Sequence, residues 1–593
     1  MKRFLLLTCL ACAWWTTAAP ALTEPKQAAV ASAHPLATAA GREVLDGGGN
    51  AFDAAIAVAA ALAVVEPYSS GIGGGGFFLL HRAISGTDVF VDARERAPLA
   101  ATDKLYQDAH GEVIPGRSLN GALAAAIPGT PAALVHLALL YGRLPLDRAL
   151  APAIRLARGG FPVTEHYRVM AGFRREVLAA DAASAAIFLA DAQVPPLGHV
   201  IRQPDLADTL QELGRQGSAG FYGGEIADRL VEGVTAGGGI WRVEDLAQYR
   251  VVERNPVIGR YRDIEIVSAP PPSSGGIVLL EALNILEAFD LPAMAPDARD
   301  HVTIEAMRRA YRDRAEFLGD PDYVDVPTES LIAKSHAREI GADITLDRAT
   351  PSSALKPIAP PPQGDHTTHF SVLDAEGNRV AATLSVNYPF GACYTPAGTG
   401  VLLNNEMDDF SSRPLTPNAY GLVGVDANAI GPGKRPLSSM TPTFLVTRDR
   451  IGILGTPGGS RIISMVLLGA LSFAEREPPA TWVSRPRFHH QYLPDEVLYE
   501  PQAFSAESQA ALTARGHALK LSNREYGNMH AILWDLTTNE VSAASDPRGE
   551  GKAEVWSSRV PEIALPATDA PPLEEPAAPT AEDTVLPELE TAD

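Results

Sequence analysis

The chain has 593 residues, 46% of them hydrophobic and 20% charged, a balance ordinary for a globular protein with room for a large core. Its 49 basic and 71 acidic residues give a formal charge of −22. An acidic chain without a basic stripe excludes nucleic acid as a partner.

The first residues read as an export signal rather than as fold. Lys2-Arg3 precede an apolar run from Phe4 to Trp15 and the small residues Thr17-Ala18-Ala19. Cleavage is expected near Ala19, so residues 1–19 form a signal peptide and the product is periplasmic or extracellular. The run is shorter than the roughly 20 residues that cross a bilayer, so the mature protein is expected to have no membrane span. Lipid attachment at Cys12 is the alternative, which Cys9 three residues earlier fits poorly. Loss of Cys9 and Cys12 leaves Cys393, so no intrachain disulfide is expected.

Residues 51–65 are apolar on nearly all faces and predict a buried helix capped by Asn50. Gly71-Ile72-Gly73-Gly74-Gly75-Gly76 follows, then a strand at 77–81. The glycines match G-x-G-x-x-G, but a dinucleotide site needs a strand before them and a helix after. The order here is reversed, so no cofactor is expected and the glycines mark a close backbone approach or a turn. Helical spacing predicts helices at 131–141, 225–235, 277–289 and 301–317, and strands are predicted at 89–94 and 264–268.

Beyond the prolines at 357 and 360–362 the texture changes. Strands are predicted at 367–373, 380–387, 443–447, 451–455 and 531–535, with a helix at 461–474. Strand pairs interleaved with helices imply layered α+β architecture. The tail after residue 562 is acidic, rich in Pro and Ala, and too poor in apolar residues to fold.

Asp365-His366-Thr367-Thr368-His369 opens the first of these strands. A threonine hydroxyl needs an adjacent base to act as a nucleophile. The nearest base is its own α-amine, which exists only if the chain is cut between His366 and Thr367. Asp374 to Asn378 is turn chemistry, so the next two strands form a hairpin. A turn centred on Glu376 sets Thr367 opposite Ser385, with Asn387 just beyond the open end.

Asn404-Asn405-Glu406-Met407-Asp408-Asp409 offers carboxylates for an ammonium group or a cation, or a solvated acidic turn. Thr456-Pro457-Gly458-Gly459-Ser460 lies between a strand and a helix start, where glycine N–H groups make an anion nest or oxyanion hole. Ser438 and Ser439 add hydroxyls, and the planar fork of Arg94 suits a carboxylate, although a surface salt bridge explains it equally. His489-His490 are adjacent and point apart, and no zinc-type spacing occurs elsewhere, so no metal is expected.

These segments, from Ser70-Gly71 through Arg94-Glu95-Arg96, Pro271-Pro272-Ser273-Ser274-Gly275-Gly276, Gly319-Asp320-Pro321-Asp322, Thr367-Thr368-His369, Lys434-Arg435-Pro436-Leu437-Ser438-Ser439-Met440 and Pro457-Gly458-Gly459-Ser460-Arg461 to Ala544-Ser545-Asp546-Pro547-Arg548, resemble the γ-glutamyltransferases. That family belongs to the N-terminal-nucleophile hydrolases. The resemblance implies a four-layer αββα sandwich built jointly by two autoprocessed chains, a large one, 20–366, and a small one that starts at Thr367 with its core at 367–562, which form a heterodimer. It implies Thr367 as nucleophile, Arg94 with Ser438 and Ser439 on the substrate α-carboxylate, and Asp409, Glu406 and Asn387 around its ammonium. It implies Gly458 and Gly459 as the oxyanion hole and Tyr420 as a lid residue.

Ser385 departs from the threonine of many members and keeps the hydroxyl without the methyl. The implied donors are glutathione and related γ-glutamyl compounds, and the acceptors are water, amino acids or peptides. A glutaryl or cephalosporin acylase, a poly-γ-glutamate hydrolase and a non-catalytic binding protein are the alternatives.

Overall fold

A computed structural model describes residues 24–355, 367–413 and 426–557. The signal segment, His366, Tyr420 and the acidic tail lie outside them. Two antiparallel sheets organise the described residues. The first has seven strands in the order Lys552–Trp556, Ala28–Ser32, Thr368–Leu373, Arg379–Ser385, Gly75–Arg82, Thr87–Ala93, Val252–Arg254. The second has six, in the order Glu540–Ser545, His530–Asp535, Arg450–Gly455, Thr443–Val446, Ile264–Ser268, Val257–Tyr261.

The central strands of the first sheet are buried on both faces, and alternation along them sorts the side chains. Ala28, Val30, Phe78, Leu80, Phe370 and Val372 pack outward, against a core that holds the whole of helix Ala51–Val65. Their neighbours Ala29, Ala31, Phe77, Leu79 and Leu373 pack inward, in one core with Ile453 and Ile532 of the second sheet. The far side of the second sheet is covered by helices Gly275–Leu286, Pro296–Phe317 and Ile462–Ala474. The layers therefore run helix, sheet, sheet, helix, which is the predicted sandwich.

Helix Ala51–Val65 has the predicted bounds. Asn50 accepts hydrogen bonds from the N–H groups of Phe52 and Asp53, and the Asp53 carboxylate accepts one from the Asn50 N–H, a complete capping box. The other predicted elements occur with ends shifted by a few residues. Helix Ile462–Ala474 starts one residue late because Gly459–Arg461 forms a 3-10 turn. Cys393 is a free, buried thiol, pushed up to about 11 by burial. No helix among the described residues is long and apolar enough to cross a membrane.

The predicted hairpin has the predicted register. Arg379 pairs with Leu373 and Leu384 with Thr368, so one further step sets Thr367 opposite Ser385. The glycines before Phe77 serve close packing. A Cβ on Gly73 would lie 2.1 Å from the Leu402 carbonyl oxygen, and one on Gly74 2.0 Å from that of Ser385. Both approaches are to backbone, which cannot rotate away. Gly74→Ala is therefore expected to destabilise the fold by about 3 kcal/mol, the upper range for overpacking. Gly172→Ala, inside helix Glu165–Ala180 with its nearest neighbour 3.9 Å away, is expected to gain up to about 1 kcal/mol from helix propensity. Melting temperatures of the two variants should move in opposite directions.

Candidate active site

Strand Thr368–Leu373 delivers Thr367 to one end of the first sheet, where it lines a small cleft. Arg94, Ser385, Asn387, Glu406, Asp409, Ser438, Ser439 and Gly459 line the same cleft. Gly458 lines a second, more open cleft of about 860 Å³ together with Thr367, Glu66, His166, Arg524 and Arg548. Each described residue expected from the resemblance to act on substrate thus lines a cleft that Thr367 also lines. Tyr420 and His366 lie outside the described residues.

Arg94 follows strand Thr87–Ala93 and is fully buried. Its backbone is held at both ends: the N–H donates to Asp92 Oδ1 (2.9 Å), and the carbonyl accepts from the Tyr249 hydroxyl (2.8 Å). Its guanidinium donates to Glu406, to Asp409 and, through Nε, to the Pro436 carbonyl (3.1 Å). Glu95 lies 3.5 Å away. The reading of Arg94 as a surface salt-bridge residue is thereby excluded.

Burial alone would lower Arg94, but the Glu406 and Asp409 carboxylates outweigh it and push it up. The same burial pushes Glu406 well up and raises Glu95 to about 7, with Arg94 opposing both. Two guanidiniums, Arg94 in contact and Arg314 further off, face three carboxylates, which leaves the cluster short of positive charge. An incoming cation is electrostatically favoured there.

The acids are not a solvated turn. They form a buried 3-10 turn, Glu406–Asp409, held by two asparagines. Asn404 donates to the Gly73 and Ala126 carbonyls (both 2.7 Å) and accepts from the Glu406 N–H (2.9 Å). The Asn405 carbonyl accepts from Asn387 Nδ2 (2.9 Å). Asn387 itself sits at φ +73°, and its N–H donates to Ser385 Oγ (2.7 Å). Asp408 turns aside and accepts from the Ser118 hydroxyl (2.6 Å), so only its neighbours reach Arg94.

Ser438 and Ser439 sit on a buried loop bonded to Ser273 and Ser274. The Ser438 carbonyl accepts from Ser274 N–H (2.8 Å) and Oγ (2.7 Å). Ser439 Oγ accepts from Arg314 Nη2 (3.1 Å), whose Nε donates to Ser274 Oγ (2.9 Å). Sequence reasoning missed Arg314. Burial lowers it to about 10, so it stays cationic at neutral pH and orients Ser439. Gly458 (φ +143°) and Gly459 (φ +56°) hold conformations that side-chain-bearing residues rarely adopt, just before helix Ile462–Ala474. His489 and His490 go to different partners, Ser464 (2.6 Å) and Asp495 (3.2 Å).

A γ-glutamyltranspeptidase family model matches residues 37–556. The chain belongs to this family. It is 44% identical over 564 residues to a glutathione hydrolase proenzyme of Pseudomonas sp. (strain A14), covering 92% of this chain and 97% of that protein. It is 42% identical over 531 residues to one from Escherichia coli (strain K12), covering 88% and 90%. A crystal structure of cephalosporin acylase from Bacillus halodurans superposes with a TM-score of 0.79 at 29% identity, covering 93% of this chain and all of that one. The predicted family and its N-terminal-nucleophile fold are thus established.

Behind Thr367, the Thr368 hydroxyl donates to Glu66 (2.8 Å). Burial raises Glu66 to about 8, against the Thr368 and Tyr68 hydroxyls and with help from Glu550. The folded protein therefore holds a proton that the unfolded chain releases above the ordinary carboxyl range. Stability that this carboxyl permits at low pH is lost as pH rises from about 4.5 towards 8. The melting temperature of Glu66→Gln, measured from pH 5 to 8, should fall less steeply than that of the wild type.

Proposed function

We propose that the chain is a glutathione hydrolase and γ-glutamyltransferase activated by its own cleavage. The observation that carries this reading is the sharing of one cleft by Thr367, a buried arginine and a pair of buried carboxylates. Water hydrolyses the peptide bond between His366 and Thr367, giving a large chain, 20–366, and a small chain that starts at Thr367 with its core at 367–562, and the two stay together as a heterodimer. The new α-amine is the base for its own hydroxyl.

A γ-glutamyl donor presents a carboxylate to Arg94, with Ser438 and Ser439, and an ammonium to Asp409, Glu406 and Asn387. Each substrate charge replaces one that Arg94 or the acids already hold, so no buried charge is left single. Thr367 Oγ attacks the γ-carbonyl carbon, and the amine takes the hydroxyl proton. The Gly458 and Gly459 N–H groups receive the oxyanion. As the tetrahedral intermediate collapses, the proton passes to the departing amine and a γ-glutamyl ester remains on Thr367. Water then releases glutamate, or an amino acid or peptide accepts the glutamyl group.

No cofactor takes part. The larger cleft that Thr367 also lines has room for the leaving group and the acceptor. We further propose that residues 1–19 direct export and that Tyr420 serves as a lid residue.

Thr367→Ala should yield one uncut polypeptide without turnover, seen as a single band on a denaturing gel. Thr367→Ser should retain partial cleavage, because a hydroxyl remains.

Acylases in the same fold remove acyl groups that need no ammonium partner, and the buried acids beside Arg94 favour the glutamyl reading over that one. γ-Glutamyl-p-nitroanilide should be turned over at least a hundredfold faster than glutaryl-p-nitroanilide. Asp409→Asn should close most of that gap, a loss of about 2.7 kcal/mol at about 1.4 kcal/mol per factor of ten. Equal rates on both substrates in the wild type would assign the chain to the acylases instead.

A further inference from the structure

We propose that Glu281, Asp313 and His336 form a binding site for one divalent metal ion of the zinc type, in the outer helical layer away from Thr367. The three side chains come from three helices, Gly275–Leu286, Pro296–Phe317 and Lys334–Gly341. One ligand atom from each lies within 4.8 Å of the others. His336 Nε2 is 2.7 Å from Asp313 Oδ2 and 3.9 Å from Glu281 Oε1. Four donors held tetrahedrally at about 2.1 Å from a common ion stand about 3.4 Å apart. The first of these distances must widen and the second close, each by under an ångström. Side-chain torsions suffice for that.

Glu281 supplies the independent observation. It is fully buried, and no N–H or hydroxyl group donates to either carboxylate oxygen. Buried polar groups in native proteins are nearly always satisfied, and an unpaired buried carboxylate is among the costliest exceptions. Among the described residues, Arg312 is the guanidinium set against Glu281, and it donates to Asp313 Oδ1 and to Glu316. One guanidinium set against Glu281, Asp313 and Glu316 leaves two negative charges, the charge that a divalent ion neutralises.

Two carboxylates and an imidazole suit zinc, cobalt or manganese. Calcium and magnesium favour oxygen-only shells. The His336 side chain is 24% exposed, which gives the ion a way in and leaves a coordination position for water. A second cluster, His301, Glu305 and His517, is equally compact. Its Glu305 already accepts from Arg308, Arg309 and the Thr350 N–H, so nothing there calls for an ion. The sequence showed no metal signature because these ligands lie on separate helices with no short spacing between them.

The site would tie helix Lys334–Gly341 to the two helices beneath it. The test uses the whole, tag-free protein after chelation and dialysis. Titration with cobalt(II) is expected to give one bound equivalent with visible absorption bands, displaced by zinc, and a higher melting temperature. Glu281→Gln keeps the shape and removes the charge, and should weaken cobalt binding at least a hundredfold. His336→Ala should do the same.

A proton shared between Glu281 and Asp313 would satisfy the same oxygens without a metal. It predicts no stoichiometric uptake and a melting temperature that zinc does not move, and that result overturns the site. Equal cobalt affinity in the wild type and both variants overturns it as well. If Glu281→Gln does not fold, the same titration of His336→Gln, at the rim, decides.

Discussion

The buried ion cluster around Arg94 is the constraint on which the site depends. It joins the end of an early strand to a turn more than 300 residues later in the chain. An unpaired guanidinium at that depth would cost several kcal/mol. The cluster therefore forms only when the segments carrying Glu406 and Asp409 are seated. Their seating depends on Asn404, which bonds both the glycine turn at Gly73 and the backbone at Ala126. Correct closure of the first sheet and correct assembly of the cleft are the same event.

The two-sheet core sets the position of the nucleophile. A strand with both faces buried cannot slip by one residue without moving every side chain to the opposite core. Phe370 and Val372 are fixed on the helix side, and Leu373 on the inter-sheet side. That alternation leaves Thr367 one register step beyond the last paired residue, facing Ser385. The glycine turn behind it is free of side chains because the Ser385 and Leu402 carbonyls occupy that space. Precision at the reactive hydroxyl comes from apolar packing several residues away.

What the sequence revealed follows from how local each signal is. The helix at 51–65 was legible to the residue because its apolar run and Asn50 cap are contiguous. The hairpin register was legible because a short turn dictates it. The fate of the acids at 406–409 was not, since the same residues serve a solvated turn or a buried one. Only long-range partners, Arg94 for Asp409 and Ser118 for Asp408, distinguish them.

Arg314 was hidden for a related reason. Helix Pro296–Phe317 carries Arg299, Arg308, Arg309, Arg312 and Arg314, and composition does not separate the one that reaches Ser439. The edge pairing of Ala28–Ser32 with Lys552–Trp556 joins opposite ends of the chain, where no local pattern announces a partner.

Helix Pro296–Phe317 links the cleft to the outer layer. Its Tyr311 hydroxyl donates to the Ser460 carbonyl beside the glycine nest, and Arg314 reaches Ser439. On its other side Arg309 ties down Ile340 and Asp343, and Asp313 faces His336. A shift of this helix would move the nest and the carboxylate-binding serine together. Helix Lys334–Gly341 therefore bears on the geometry at Thr367 without touching it. The polar groups between these helices hold fixed what the apolar core alone would let slide, because ridges of aliphatic side chains repack at small cost while a buried carboxylate tolerates few partners.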